Sequence, residues 1–243
     1  MAQVRVDHRG APVEATTWRT LLVFGHTFSG SSRVVARSLA RRLRPADVDH
    51  VVRRWCGHVF DVSKTTLVVD GLEHAAGGPF VLLSNHQSLL DIPAVATAFP
   101  GRLSFVAKQE LRSVPMFGRA MEAAGIVFVD RKDRQRAIAQ LAAARERLRD
   151  GTSVWIAAEG TRSRDGSLGP FKKGGFHVAI GLGVPVLPTW VEGTLRVIPP
   201  GSLRSVTGQT VTVRFGAPIP TEGRTVEEVM PAVREALTAL SAG

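Results

Sequence analysis

The hydrophobic positions change their period partway along the chain. In SSRVVARSLARRLRP, from Ser31 to Pro45, the apolar Val35, Leu39 and Leu43 recur every four residues. Arg33, Arg37 and Arg41 recur at the same interval, offset by two. Two positions turn a helix by about 200°, so the two stripes lie on opposite faces. Pro45 is expected to stop this helix. A second helix follows, with Val48, Val51, Val52, Trp55 and Val59 on one face and Arg53 and Arg54 beside it. Residues 1 to about 16 read as a poorly ordered tail. Basic amphipathic helices either lie in a lipid interface or pack on a core with solvated arginines, and the pattern alone leaves both open.

From about residue 64 short apolar runs alternate with helical periods. Strands are predicted at Thr65–Val69, Phe80–Leu83, Ser104–Ala107, Ile126–Val129, Ser153–Ala157, Val186–Thr189 and Thr210–Phe215. Helices are predicted at Ile92–Ala98, Pro115–Ala124, Arg134–Asp150, Lys173–Gly181 and Val226–Ser241. This alternation indicates the α/β class, with a single largely parallel, mixed sheet covered by helices. The chain divides into residues 1–62, a tail and amphipathic helices, and residues 63–243, the α/β domain.

Composition and charge add a partner class. The 243 residues are 44% hydrophobic, enough for a sizeable core. The formal charge of +10 points to a polyanion: nucleic acid, an anionic membrane surface or a phosphorylated substrate. No basic stretch is interleaved with aromatics and no nucleic-acid motif is visible, so no nucleic-acid partner is expected. Cys56 stands alone, which excludes an internal disulfide, and no metal-type Cys/His spacing occurs. The apolar stretch Leu21–Phe28 is interrupted by Gly25, His26 and Thr27 and falls well short of the roughly 20 residues of a span. No secretory signal is expected either.

The chemistry concentrates at strand ends. In VLLSNHQSLLD an apolar strand runs into a polar cluster in which His86 and Asp91 stand five residues apart. In one regular helix they would point about 140° apart. Pro93, however, fits only near a helix start, which places that start between Ser88 and Asp91. His86 then lies in the strand-to-helix turn, and Asp91 in the first helical turn can reach back to it. Such a pair is a base with its orienting carboxylate, or else a helix cap beside a loop histidine. No G-x-S-x-G elbow and no GxxxxGK phosphate loop occur. A base without an enzyme nucleophile suits activation of a substrate hydroxyl or of water. GIVFVDR, with Arg131, and AAEGTRSRDG, with Arg162, are further strand ends whose arginines suit bidentate phosphate recognition.

Four stretches together resemble the glycerolipid acyltransferases, specifically the 1-acylglycerol-3-phosphate acyltransferases. NHQSLLD is similar to their H-x4-D block. FVDR at Phe128–Arg131, EGTRS at Glu159–Ser163 and VPVLPT at Val184–Thr189 resemble the second, third and fourth blocks, in the family's order. KQEL at Lys108–Leu111 and PFKKGG at Pro170–Gly175 also look family-like.

The resemblance implies the glycerolipid acyltransferase fold. It also implies transfer of a fatty acyl group from an acyl-CoA or acyl-ACP thioester to the 2-hydroxyl of 1-acyl-glycerol-3-phosphate, giving phosphatidic acid for phospholipid biosynthesis. An alternative keeps the chemistry and changes the acceptor to another lysophospholipid or a lyso-aminolipid. His86 and Asp91 are then catalytic, and Lys108, Arg131, Glu159, Gly160, Thr161, Arg162 and Ser163 bind substrate. No bound cofactor or metal is expected, because the thioester co-substrate is already activated. The partners implied are the lysophospholipid, the acyl thioester (with acyl carrier protein where that is the donor) and an anionic membrane surface. The place implied is the cytoplasmic face of the cell membrane, as a peripheral or monotopic protein.

Overall fold

The computed structural model describes residues 3–130, 133–202 and 204–243. Strands β1 (Gln3–Val6) and β2 (Ala15–Thr16) precede two long helices, α1 (Trp18–Leu39) and α2 (Pro45–Ser63). The chain continues through β3 (Thr66–Asp70), β4 (Val81–Ser84), α3 (Asp91–Ala98), β5 (Leu103–Lys108), α4 (Phe117–Ala123) and β6 (Val127–Val129). Then come α5 (Arg134–Arg149), β7 (Ser153–Ala157), α6 (Gly174–Ile180) and β8 (Val186–Glu192). The last elements are α7 (Thr194–Val197), β9 (Ser205–Val206), β10 (Thr210–Phe215) and α8 (Val226–Ser241).

Among the described residues eight strands form one sheet in the order β1-β3-β10-β8-β4-β7-β5-β6, while β2 and β9 pair separately. The five strands from β8 to β6 are mutually parallel. β10 runs antiparallel to β8, which makes the sheet mixed. The side-chain period of two sends alternate residues to opposite faces. Leu82, Phe105, Trp155 and Leu187 join Phe60, Leu90 and Val95 in one core, under α2 and α3. Val81, Leu83, Val154, Ile156 and Val186 join Leu148, Phe176, Val233 and Leu237 in a second, under α5, α6 and α8. With both faces covered, the central strands are apolar throughout, and all of β4 and β7 is buried.

The register positions the site. β4 lies between β7 and β8, and Ser84 is level with Ala157 on one side and with Thr189 on the other. The segments that leave these three strands therefore emerge side by side at the carboxyl edge, where α/β sheets place ligands. Farther along that edge, Lys108 at the end of β5 is level with Val129 of β6.

The N-terminal region departs from the expectation. Residues 1 to 16 are not simply a tail, because β1 pairs with β3 and β2 with β9. α1 begins at Trp18, well before the predicted start near Ser31. Gly25, His26 and Thr27, which break the apolar run, lie inside this helix, and two of them are held against α2. The Thr27 hydroxyl donates to the Val23 carbonyl at 2.7 Å and accepts from Trp55 Nε1 at 2.7 Å. His26 stacks on His58 with ring centroids 3.9 Å apart.

Pro45 does not end α1. It opens α2, where a missing N–H costs nothing. Arg41 and Leu43 accordingly lie between the helices, and Leu39 is 79% exposed rather than buried. The buried residues of α1 are Thr20, Gly30, Ser31, Val34 and Val35.

One turn is critical for the site. Gly193 links β8 to α7 with φ +86°, and a Cβ there would fall 2.3 Å from the Thr210 carbonyl oxygen. Gly193→Ala combines a left-handed backbone with a backbone clash. It is expected to cost about 2–4 kcal/mol, read as a lowered denaturation midpoint at unchanged m-value.

Candidate active site

His86 and Asp91 meet in the turn between β4 and α3. His86 Nδ1 lies 2.7 Å from Asp91 Oδ2. The same oxygen accepts the backbone N–H of Gln87 at 2.7 Å and of Ser88 at 3.0 Å. The other carboxylate oxygen accepts the Thr194 hydroxyl at 2.5 Å. Asp91 has no exposed surface, and the His86 side chain retains 10% of its own. These donors suit an ionised carboxylate, which is acceptor-only and needs donor partners. They set the imidazole tautomer with the proton on Nδ1, so Nε2 carries the free lone pair.

The ring is supported from below and its backbone from the side. The Trp155 ring meets His86 edge-on at 5.7 Å between centroids. Trp155 Nε1 donates to Ser84 Oγ at 2.9 Å, and that hydroxyl donates to the Asn85 carbonyl at 2.7 Å. Asn85 clamps β8 through two 2.8 Å bonds, accepting from Val191 N and donating to its carbonyl. The Ser88 hydroxyl donates to the Ile198 carbonyl at 2.7 Å. The His86 backbone N–H donates to Glu159 Oε1 at 3.1 Å, and the His86 carbonyl accepts from Ser163 N at 2.7 Å.

The other expected site residues occupy distinct places. Glu159 is buried, and its second oxygen accepts Gly169 N at 3.0 Å, so the carboxylate straps the third block's loop to His86. Gly160 supplies a turn with φ +70°, and Thr161 is exposed. The Ser163 hydroxyl accepts Gly166 N and donates to Asp165, both at 3.0 Å. Arg162 is half-buried and Lys108 exposed, and among the described residues neither side chain makes a hydrogen bond or ion pair. Arg131 lies outside the described residues.

Hydrogen bonds from the Ser167 hydroxyl and N–H and from the Ser163 hydroxyl hold Asp165 at about 2, below its ordinary 3.8. This contribution to the loop's order is complete above the ordinary value and is lost as the pH falls towards about 2. Thr194, Trp155 and Asn85 escaped the sequence reading. Thr194 stands 103 residues from Asp91, and no local spacing pairs them.

The chain belongs to the acyltransferase family, whose family model matches residues 66–192. Its relatives define a narrower group. Over 152 residues it is 38% identical to the human 1-acyl-sn-glycerol-3-phosphate acyltransferase alpha, covering 62% of this chain and 53% of that one. It is 33% identical over 211 residues to the chloroplastic 1-acyl-sn-glycerol-3-phosphate acyltransferase LPAT1 of Arabidopsis thaliana, covering 86% and 56%. An uncharacterized acyltransferase of Schizosaccharomyces pombe is 39% identical over 164 residues, covering 66% and 58%. The chain thus spans rather more than half the length of these relatives. The crystal structure of the 1-acyl-sn-glycerophosphate (LPA) acyltransferase PlsC from Thermotoga maritima superposes with a TM-score of 0.75 at 28% identity, covering 93% of this chain and 95% of that chain.

Cys56, the lone thiol, is fully buried on α2, and burial pushes it up to about 12. At neutral pH it is therefore a protonated thiol and no nucleophile. Iodoacetamide is expected to leave Cys56 unlabelled in the native protein and to alkylate it only after denaturation, as read by intact mass.

Proposed function

We propose that the protein is a 1-acylglycerol-3-phosphate O-acyltransferase, transferring a fatty acyl group from a coenzyme A or acyl carrier protein thioester to the 2-hydroxyl of lysophosphatidic acid. The observation that carries this reading is the Nδ1–Asp91 hydrogen bond, which leaves His86 Nε2 as an oriented base at the carboxyl edge of the sheet. An aliphatic alcohol is a weak acid, so its proton must leave as its oxygen attacks. Nε2 takes the proton while the oxygen adds to the thioester carbonyl carbon. The tetrahedral intermediate then collapses, the C–S bond breaks, and the imidazolium returns the proton to the departing thiolate. Asp91 supports the positive charge that His86 carries between these steps. Arg162 and Lys108, with side chains free of protein partners among the described residues, bind the acceptor phosphate together with Arg131.

The names of the relatives support lysophosphatidic acid as acceptor. The reading is tested with purified protein, a panel of lyso-acceptors and both donor types. Failure to acylate lysophosphatidic acid with either donor overturns it. His86→Ala is expected to lower kcat by about 10²–10⁴, the range of positioned base catalysis, and Asp91→Asn to lose most activity as well. Arg162→Ala loses a charge-assisted contact worth about 1.5–3 kcal/mol, so the acceptor KM rises about tenfold to a hundredfold while the donor KM moves far less.

The protein meets its lipids by lying on the cytoplasmic leaflet of the cell membrane through α1 and α2. No helix among the described residues is long and apolar enough to cross a membrane. Trp18, Leu21, Leu22, Phe24 and Phe28 are exposed on α1, and at about 100° per residue they share an arc of about 160°. Arg37, Arg41, Arg42, Arg44, Arg53 and Arg54 are exposed on and between the same helices. Apolar insertion and attraction to anionic headgroups then act together. Vesicles with anionic lipid are expected to bind the protein more tightly than neutral ones, with the excess falling as salt shortens the Debye length. Replacing Leu21 and Phe28 together by Ser should release the protein from vesicles and leave turnover on detergent-dispersed substrate largely intact. Full co-sedimentation of that variant overturns the docking assignment.

A further inference from the structure

We infer that Thr194 is a positioning residue for the acyl transfer, acting through Asp91 from outside the four sequence blocks. The inference rests on the acyl-transfer reading above and adds a third member to the His86–Asp91 pair. Thr194 opens α7 just after the Gly193 turn, and its side chain is fully buried. Its hydroxyl points across the edge of the sheet to Asp91 Oδ1 at 2.5 Å.

The need for this contact follows from the donor count on Asp91. Oδ2 already accepts three N–H groups, from the His86 ring and from the Gln87 and Ser88 backbone. Oδ1 has no backbone donor, and Thr194 supplies its one hydrogen bond among the described residues. A carboxylate held by one oxygen can turn about its Cβ–Cγ bond, a soft sp³–sp² torsion, and bring the other oxygen towards the imidazole. Bonds on both oxygens fix that torsion.

The hydroxyl also donates to the carboxylate, so all four partners of Asp91 are donors. An ionised Asp91 keeps the imidazole proton on Nδ1 and leaves Nε2 free for the substrate hydroxyl. Two neighbouring clamps hold the same segment against the same turn: Asn85 on Val191, and Ser88 on the Ile198 carbonyl. The Thr194 hydroxyl is therefore delivered to Asp91 by a segment fastened on both sides of it.

The experiment is a substitution series in the full chain, assayed with lysophosphatidic acid and its donor. Thr194→Val keeps the shape and removes the hydroxyl. It is expected to lower kcat by about tenfold to a hundredfold with both KM values within about twofold. Thr194→Ser restores the donor and recovers kcat to within about threefold of the parent. In the Asp91→Asn background Thr194→Val adds less than about threefold, because its route to His86 is already cut. Thr194→Cys keeps the side chain's size and weakens the donor, and it gives an intermediate kcat. This variant decides the matter if Thr194→Val fails to fold.

A folded Thr194→Val with parental kcat, a Ser variant as impaired as Val, a Cys variant equal to the parent, or full additivity with Asp91→Asn overturns the inference. If the parent protein transfers no acyl group, the functional reading fails instead, so the two failures are distinguishable.

Discussion

Four donors converge on the carboxylate of Asp91, which has no exposed surface of its own. An unpaired charge in such a place would cost several kcal/mol. Its four hydrogen bonds offset that cost, and they come from three sources: the imidazole of His86, the backbone of the turn itself, and a hydroxyl from the far side of β8. Three of the donors belong to consecutive residues of one turn, and the fourth is delivered by the segment after β8. The strand that ends at Ser84, the helix that starts at Asp91 and the turn at Gly193 are consequently bound to one another through a single side chain. Satisfying one buried charge shapes the turn around it, and that same satisfaction leaves His86 Nε2 as the unengaged nitrogen of the pair.

The register of the sheet makes this possible. β4 is flanked by β7 and β8 with Ser84, Ala157 and Thr189 level. The residues that follow each strand therefore come together over one small area. From β7 comes Glu159, which accepts the His86 backbone N–H. From β8 come Val191, which receives the Asn85 clamp, and Thr194, which reaches Asp91. The apolar layers beneath carry the burial energy. The polar layer at the carboxyl edge contributes little net stability per bond, about 0.5–1.5 kcal/mol each, but sets the geometry.

What was legible in the sequence follows from how local each signal is. The strands of the central sheet read well because residues such as Val81–Ser84 and Ser153–Ala157 are apolar on both faces and bounded by turns. The start of α3 was legible from Pro93, whose missing N–H admits only the first turn. The His86–Asp91 contact followed from those two boundaries. Thr194 was not legible, because its partner lies in another strand-to-helix connection and only the register of β4 with β8 brings them together. The N-terminal region misled for a related reason. The start of α1 at Trp18 was not legible, because the contacts that hold its first half, Trp55 on Thr27 and His58 on His26, come from α2. The strand pairing of residues 3–6 with β3 likewise depends on a partner distant in sequence.

Glu159 ties two segments of the site together through its own carboxylate. Both of its oxygens accept backbone N–H groups, from His86 and from Gly169. The Gly169 carbonyl in turn accepts Arg234 Nη2 at 2.7 Å, and the Arg234 guanidinium lies 4.1 Å over the Phe171 ring. A continuous path of polar contacts thus runs from the base through the third block's loop to α8, where Arg234 sits. Along this path the loop that carries Arg162 is tied to the backbone of His86. On the proposed acyl-transfer reading, a phosphate bound by that arginine would be held at a set distance from Nε2, which is what an acceptor with its reactive hydroxyl and its charge on one short glycerol requires. In this arrangement the glutamate fixes the backbone between the loop of Arg162 and the turn of His86.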